Sequence, residues 1–110
     1  LSVGRKINCR RTLFMHMSEA QVPTASASRY LQQICKHWSH KFPVEFTPES
    51  GFVPFSEDRR CDFSADADKL TMRISAADEA TLERTQHVVI EHLKRFAFRE
   101  DLGDISWTRL

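Results

Sequence analysis

At 110 residues, with 41% hydrophobic and 28% charged side chains, the chain is long enough to bury one core and too apolar for general disorder. Its formal net charge of +1 hides an imbalance: Arg5, Lys6, Arg10 and Arg11 stand in residues 1–16 without an acid, and removing these four charges leaves −3 for residues 17–110. That sign argues against a nucleic-acid binder, no apolar run approaches the roughly 18–20 residues that span a bilayer, and three scattered cysteines (Cys9, Cys35, Cys61) argue for a reducing, cytoplasmic setting over a disulfide framework.

Residues 1–16 lack periodicity and the apolar stretch of a signal peptide, and Met15 or Met17 could each begin translation. This segment reads as a disordered extension or an overcalled start, and 17–110 as a single domain. Glu19–Thr24 has the look of an edge strand, because Pro23 removes a ladder donor. Ser26 or Ser28 can cap a helix whose apolar residues fall at Ala27, Tyr30, Leu31, Ile34, Trp38 and Phe42. Pro43 should end it, since the residue before a proline avoids helical angles.

A period of two then takes over. Val44 and Phe46, Val53 and Phe55, Cys61, Phe63 and Ala65, and Leu70, Met72 and Ile74 alternate with polar residues across turns at Pro48–Gly51, Glu57–Arg60 and Ala67–Asp68. Alternation over adjacent segments with short connections predicts an antiparallel meander with one buried face. Asp78 can cap a second helix with buried stripe Leu82, Thr85, Val89, Leu93 and Phe96, and Gly103 breaks the chain before a last strand containing Ile105 and Trp107. The pattern gives a two-layer α+β sandwich, strand–helix–three or four strands–helix–strand, with both helices on one sheet face.

The chemistry concentrates in Cys35–Phe42. Successive helical residues turn by about 100°, which sends Trp38, Phe42 and Cys35 inward, His37 and Lys41 to the flank, and Lys36 and His40 toward solvent. Lys36, His37, His40 and Lys41 beside Trp38 make a basic band that could bind an anionic ligand. Cations at a helix C-terminus also favour the dipole by about 0.3–1 kcal/mol each with no ligand present. His37 and His40, three apart, are the candidate metal ligands for iron or haem, but zinc or a similar ion would need further donors such as His87 or His92. A core-edge His92 bonded to a backbone carbonyl is the plainer reading of that residue. Cys35 is the better thiol candidate and Cys61 reads as a buried hydrophobe. Asp62, Asp66 and Asp68 lack the Gly and Glu of an EF-hand loop and read as solvated turn residues. No catalytic motif is present, so the balance leans away from an enzyme.

Three stretches together carry a resemblance: Val22–Leu31, Cys35–Phe42 and His92-Leu-Lys-Arg-Phe-Ala-Phe-Arg-Glu100. The chain from about Ser18 to Trp107 resembles a small bacterial domain of unknown function that occurs alone or fused to siderophore-interacting, FAD-binding ferric reductases. The resemblance implies iron acquisition, with a ferric siderophore or a siderophore-interacting flavoprotein as partner, and supports a start near Met17. It assigns no catalytic residue. Three readings follow: an accessory binding domain using Lys36, His37, His40 and Lys41 with Trp38 or Trp107; a metal or haem domain using His37 and His40; and a structural module that forms a homodimer through an exposed sheet face or edge.

Overall fold

The computed structural model describes residues 16–110. Residues 1–15, and with them nearly all of the segment read as an extension, lie outside the described residues; His16 already pairs with Ala76. The elements are β1 (His16–Pro23), α1 (Ala27–Trp38), β2 (Glu45–Phe46), β3 (Ser50–Ser56), β4 (Arg59–Ala65), β5 (Lys69–Ala76), α2 (Glu79–Phe96) and β6 (Thr108–Arg109). They form an antiparallel sheet in the order β2-β3-β4-β5-β1-β6, with both helices on one face, as the alternation predicts.

The inward side of each strand is the apolar one. Val22 on β1, Val53 on β3, Cys61 and Phe63 on β4, and Leu70, Met72 and Ile74 on β5 are buried against Leu31, Ile34 and Cys35 of α1 and Leu82, Val89 and Leu93 of α2. Each fully buried aliphatic side chain contributes about 1.5–3 kcal/mol relative to exposure. The outer face is charged instead: Arg73 pairs with Glu19 across β5 and β1, Arg60 pairs with Asp62, and the Arg60 guanidinium lies 4.2 Å from the Phe52 ring centroid.

Close approach of α1 to the sheet depends on Gly51. A Cβ there would stand 2.6 Å from Cys35 Sγ and 3.4 Å from Leu31 Cδ2, so a side chain at this strand position would push the helix outward.

Four sequence expectations change. β1 is not the edge strand, because β6 lies outside it; β6 pairs only with Ser18 and Glu19, so Pro23 sits where β1 has a partner on one side alone. The last strand begins later than expected: Ile105 and Trp107 are half-buried against the core, and only Thr108 and Arg109 enter the ladder. Neither serine caps α1 through its side chain. Ser26 occupies the N-cap position without such a bond, and the Ser28 hydroxyl donates to the Pro48 carbonyl, 2.6 Å. Most consequential, α1 stops at Trp38, a turn before Pro43. The Ser39 hydroxyl donates to the Lys36 carbonyl (2.7 Å), and the Lys41 and Phe42 amides both reach the Trp38 carbonyl (3.0 and 2.9 Å). The Ser39 hydroxyl bond and the i→i−3 bond of the Lys41 amide tighten this last turn, while the Phe42 amide keeps helical i→i−4 spacing, so the helix ends in a turn after Trp38.

By contrast, α2 begins as its sequence indicates. Asp78 accepts from the Thr81 amide at 2.7 Å, and these hydrogen bonds hold its carboxyl below the usual carboxylate range.

Candidate functional site

The early end of α1 creates a cleft. It opens where the C-terminal turn of α1 parts from the middle of α2 and the β3–β4 hairpin rises beneath them. Its volume is about 360 Å³, open on one side to solvent and at the lower end of the roughly 300–1,000 Å³ usual for small-molecule sites. His37, Trp38, His40, Lys41 and Phe42 come from α1 and its turn, Phe55 and Arg59 from the hairpin, and Thr85, Val88 and His92 from α2.

Each strand contribution has a local cause. Between Val53↔Cys61 and Ser56↔Arg59 the ladder slips, with Pro54 and Phe55 facing the single residue Arg60. Such a bulge bends the strand and re-aims its side chains. Phe55 and Arg59 thereby share the helix-facing side of the hairpin, with the Arg59 guanidinium 5.9 Å from the Phe55 ring centroid.

The aromatic wall is continuous. Trp38 meets Phe55 nearly at right angles (4.9 Å between centroids, 82°), and Phe42 meets Phe55 similarly (5.3 Å, 78°). His92 stands 4.8 Å from Trp38 and 5.3 Å from His37. The His92 Nδ1 lies 2.8 Å from the Val88 carbonyl, which only accepts, so Nδ1 carries a proton and Nε2 is the free ring nitrogen. This is the backbone-bonded histidine expected from sequence, now also a wall of the cleft.

Charge in the cleft has one sign. Lys41 and Arg59 line it with three imidazoles, no carboxylate is in the lining, and among the described residues neither cation forms an ion pair. His37 is held below the ordinary imidazole pKa, by partial burial first and then by the positive neighbours His92, Arg95, His40 and Lys41. Thr85, the one hydroxyl in the lining, donates to the Thr81 carbonyl at 2.7 Å and is committed to its own helix.

Of the five residues expected to bind a ligand, His37, Trp38, His40 and Lys41 border the cleft, and His92, read as a possible further metal donor, joins them. His40, expected on the solvated side, arrives there from the turn after Trp38. Lys36 does not line the cleft and stays exposed on α1. Trp107 lies elsewhere, packed against the core, with its Nε1 buried and without a hydrogen-bond partner among the described residues. Phe55, Arg59, Thr85 and Val88 were not anticipated. Pro54 inside a strand pattern was the available signal, because proline within a strand marks an edge or a bulge.

Cys35 does not serve as a reactive thiol. It is fully buried, and burial pushes it up to about 12; Cys61 is likewise buried and raised. For the metal reading, among the described residues no three His, Cys, Asp or Glu side chains come together to hold an ion. His37 has ring contacts with Trp38, His92 and Phe96 and none with His40. Of the acidic turn residues, Asp66 accepts from the Asp68 and Lys69 amides (2.8 and 2.9 Å), which lower its pKa, and Asp62 is engaged by Arg60.

A family model described as "Uncharacterized protein conserved in bacteria (DUF2218)" matches residues 19–108. The chain belongs to this family. The match takes in every residue that borders the cleft of this DUF2218 domain. Among solved structures, the chain is similar to one titled "NMR structure of PA4090 from Pseudomonas aeruginosa", at 45% sequence identity and a TM-score of 0.73, over 86% of this chain and 96% of that one. No curated protein matches the chain. Among the described residues, no helix of this DUF2218 domain is long and apolar enough to cross a membrane.

Proposed function

We propose that this protein is a non-enzymatic binding domain whose cleft takes an anionic small molecule, in a cytoplasmic, iron–siderophore setting. One observation carries the reading: a half-enclosed aromatic cleft holds Lys41, Arg59 and three histidines with no acid to neutralise them. Arg59, half-buried beside apolar walls, gains more from an anionic partner than a solvated surface cation such as Lys41 does, because the local dielectric is lower. The siderophore setting comes from the likeness carried by the stretches at Val22–Leu31, Cys35–Phe42 and His92–Glu100. A ferric siderophore, or a flavoprotein reductase presenting one, is the partner this predicts.

Tryptophan fluorescence tests it, in a Trp107→Phe background that leaves Trp38 as the reporter. Saturable quenching by anionic ferric siderophores is expected, reduced about 10- to 100-fold in apparent affinity by Arg59→Ala as a charge-assisted hydrogen bond is lost. A flat titration, or one indifferent to both Arg59→Ala and Lys41→Ala, removes the proposal.

A metal or haem reading has one feature in its favour, the 5.3 Å approach of the His37 and His92 rings. As a zinc-like site that pair needs at least one more donor. Metal analysis of protein purified without a polyhistidine tag decides it, and substoichiometric iron and zinc would end it.

A further inference from the structure

We infer that, within the anion-binding reading on which this rests, the cleft selects a planar aromatic acid (a ring bearing a carboxylate) over a saturated anion of equal charge and size. Trp38 and Phe55, then Phe55 and Phe42, stand edge to face at 82° and 78°, with centroids 4.9 and 5.3 Å apart. This is the arrangement aromatic quadrupoles favour, and an incoming ring continues it where a saturated ring cannot.

The cations sit against the same wall. Arg59 is 5.9 Å from the Phe55 centroid, and Lys41 and Phe42 are neighbours in the turn that follows α1. A ligand with its ring on the aromatic wall thus carries a carboxylate to unpaired cations, while its ring face can also meet positive charge. A small inorganic anion satisfies only half of this lining and gives up hydration against apolar walls. A volume of about 360 Å³ fits one or two rings, whether a whole small acid or a single aromatic arm of a larger ligand.

The experiment uses the full chain, whose 12.8 kDa mass gives well-resolved ¹H–¹⁵N spectra. Benzoate, cyclohexanecarboxylate, benzamide and inorganic phosphate are titrated at one pH and ionic strength, following the Trp38 indole N–H and the backbone amides of Lys41 and Arg59. Benzoate should bind about 5- to 10-fold more tightly than cyclohexanecarboxylate, the margin expected of aromatic contacts beyond area burial. Phe55→Leu should erase that margin, bringing benzoate down to the affinity of cyclohexanecarboxylate measured in the same variant. Phe42→Leu, at a half-buried position, provides the same comparison should Phe55→Leu fold poorly.

Equal binding of benzoate and cyclohexanecarboxylate overturns the ring selectivity and leaves the anion reading standing. Benzamide binding as tightly as benzoate overturns the anion reading. Absence of any saturable shift overturns both, and phosphate binding as tightly as benzoate overturns the role of the ring.

Discussion

The two ends of the helix pair treat polar groups in opposite ways. Where α1 begins and α2 ends, Glu100 accepts from the Tyr30 hydroxyl (2.5 Å) and the Thr24 hydroxyl (3.0 Å), so the donors meet an acid inside the protein. The bond to Glu100, then burial, holds the Tyr30 hydroxyl above the ordinary phenol pKa. Where α1 ends beside the middle of α2, cations and imidazoles gather with no acid among the described residues of the lining, and the Phe42 and Phe55 rings are only partly covered. The first end is complete in itself. The second has the charge and surface of half an interaction.

Substitutions at the two ends should therefore separate stability from binding. The largest effect is expected where the distinction fails, at Trp38, which is 5% exposed and serves core and cleft together. Trp38→Ala should cost about 3–5 kcal/mol, read from the midpoint of urea unfolding, and should abolish binding as well. At the closed end, Glu100→Ala leaves two hydroxyls without their acceptor and should cost about 1.5–3 kcal/mol with ligand affinity unchanged. A loss of affinity in that variant would mean that the two ends are coupled.

At the open end the reverse is expected. Arg59→Ala should leave stability within about 0.5 kcal/mol, since it breaks no ion pair among the described residues, while binding of an anion weakens by the 10- to 100-fold argued above. Unfolding of this variant at much lower urea would recast Arg59 as a structural residue.

The smallest effect is a pH dependence. His37 is depressed in the folded protein, so between its folded and ordinary pKa values the unfolded chain binds more protons, and stability falls as pH drops through that window. Binding of an anion has the opposite preference. It favours the imidazolium, so affinity should rise on acidification through the same window, by about 1.5- to 5-fold for a largely exposed pair. Calorimetric titrations at several pH values should show this slope, and His37→Gln should flatten it.

Periodicity alone located both helices and the meander, because Leu31, Ile34, Met72, Ile74, Val89 and Leu93 repeat at the spacing their elements require and all are buried. The cleft was legible only in part. Lys36, His37, His40 and Lys41 were read as one band beside Trp38, and all but Lys36 line the cleft, although the helical wheel alone sent His40 toward solvent. His40 reaches the cleft from the turn after Trp38, where the Ser39 hydroxyl and the i→i−3 bond of the Lys41 amide tighten the chain in a way a 100° wheel ignores. Arg59 was hidden in a run of four charged residues read as a turn, while the chain re-enters the sheet at Arg59 itself. Counting back two from buried Cys61 places Arg59 on the inward side, a clue that the charge run obscured. Trp107 went the other way: two residues of strand in place of four left it on the core and out of the cleft.

The place of β1 in the sheet has a consequence for how the domain is assembled. Its ladder partner is β5, so Glu19 meets Arg73 across 54 residues, whereas β3, β4 and β5 meet through turns of two or three residues. Short loops close at the lowest entropic expense, which makes the three-stranded meander the natural nucleus and β1 a late arrival. β6 pairs with β1 alone, and so comes last of all. On a ribosome this order means that β1 emerges early and must wait, unpaired, until β5 has been made. Its polar and charged outward residues, Glu19 and Gln21, keep that waiting strand from offering a uniformly apolar template to another chain.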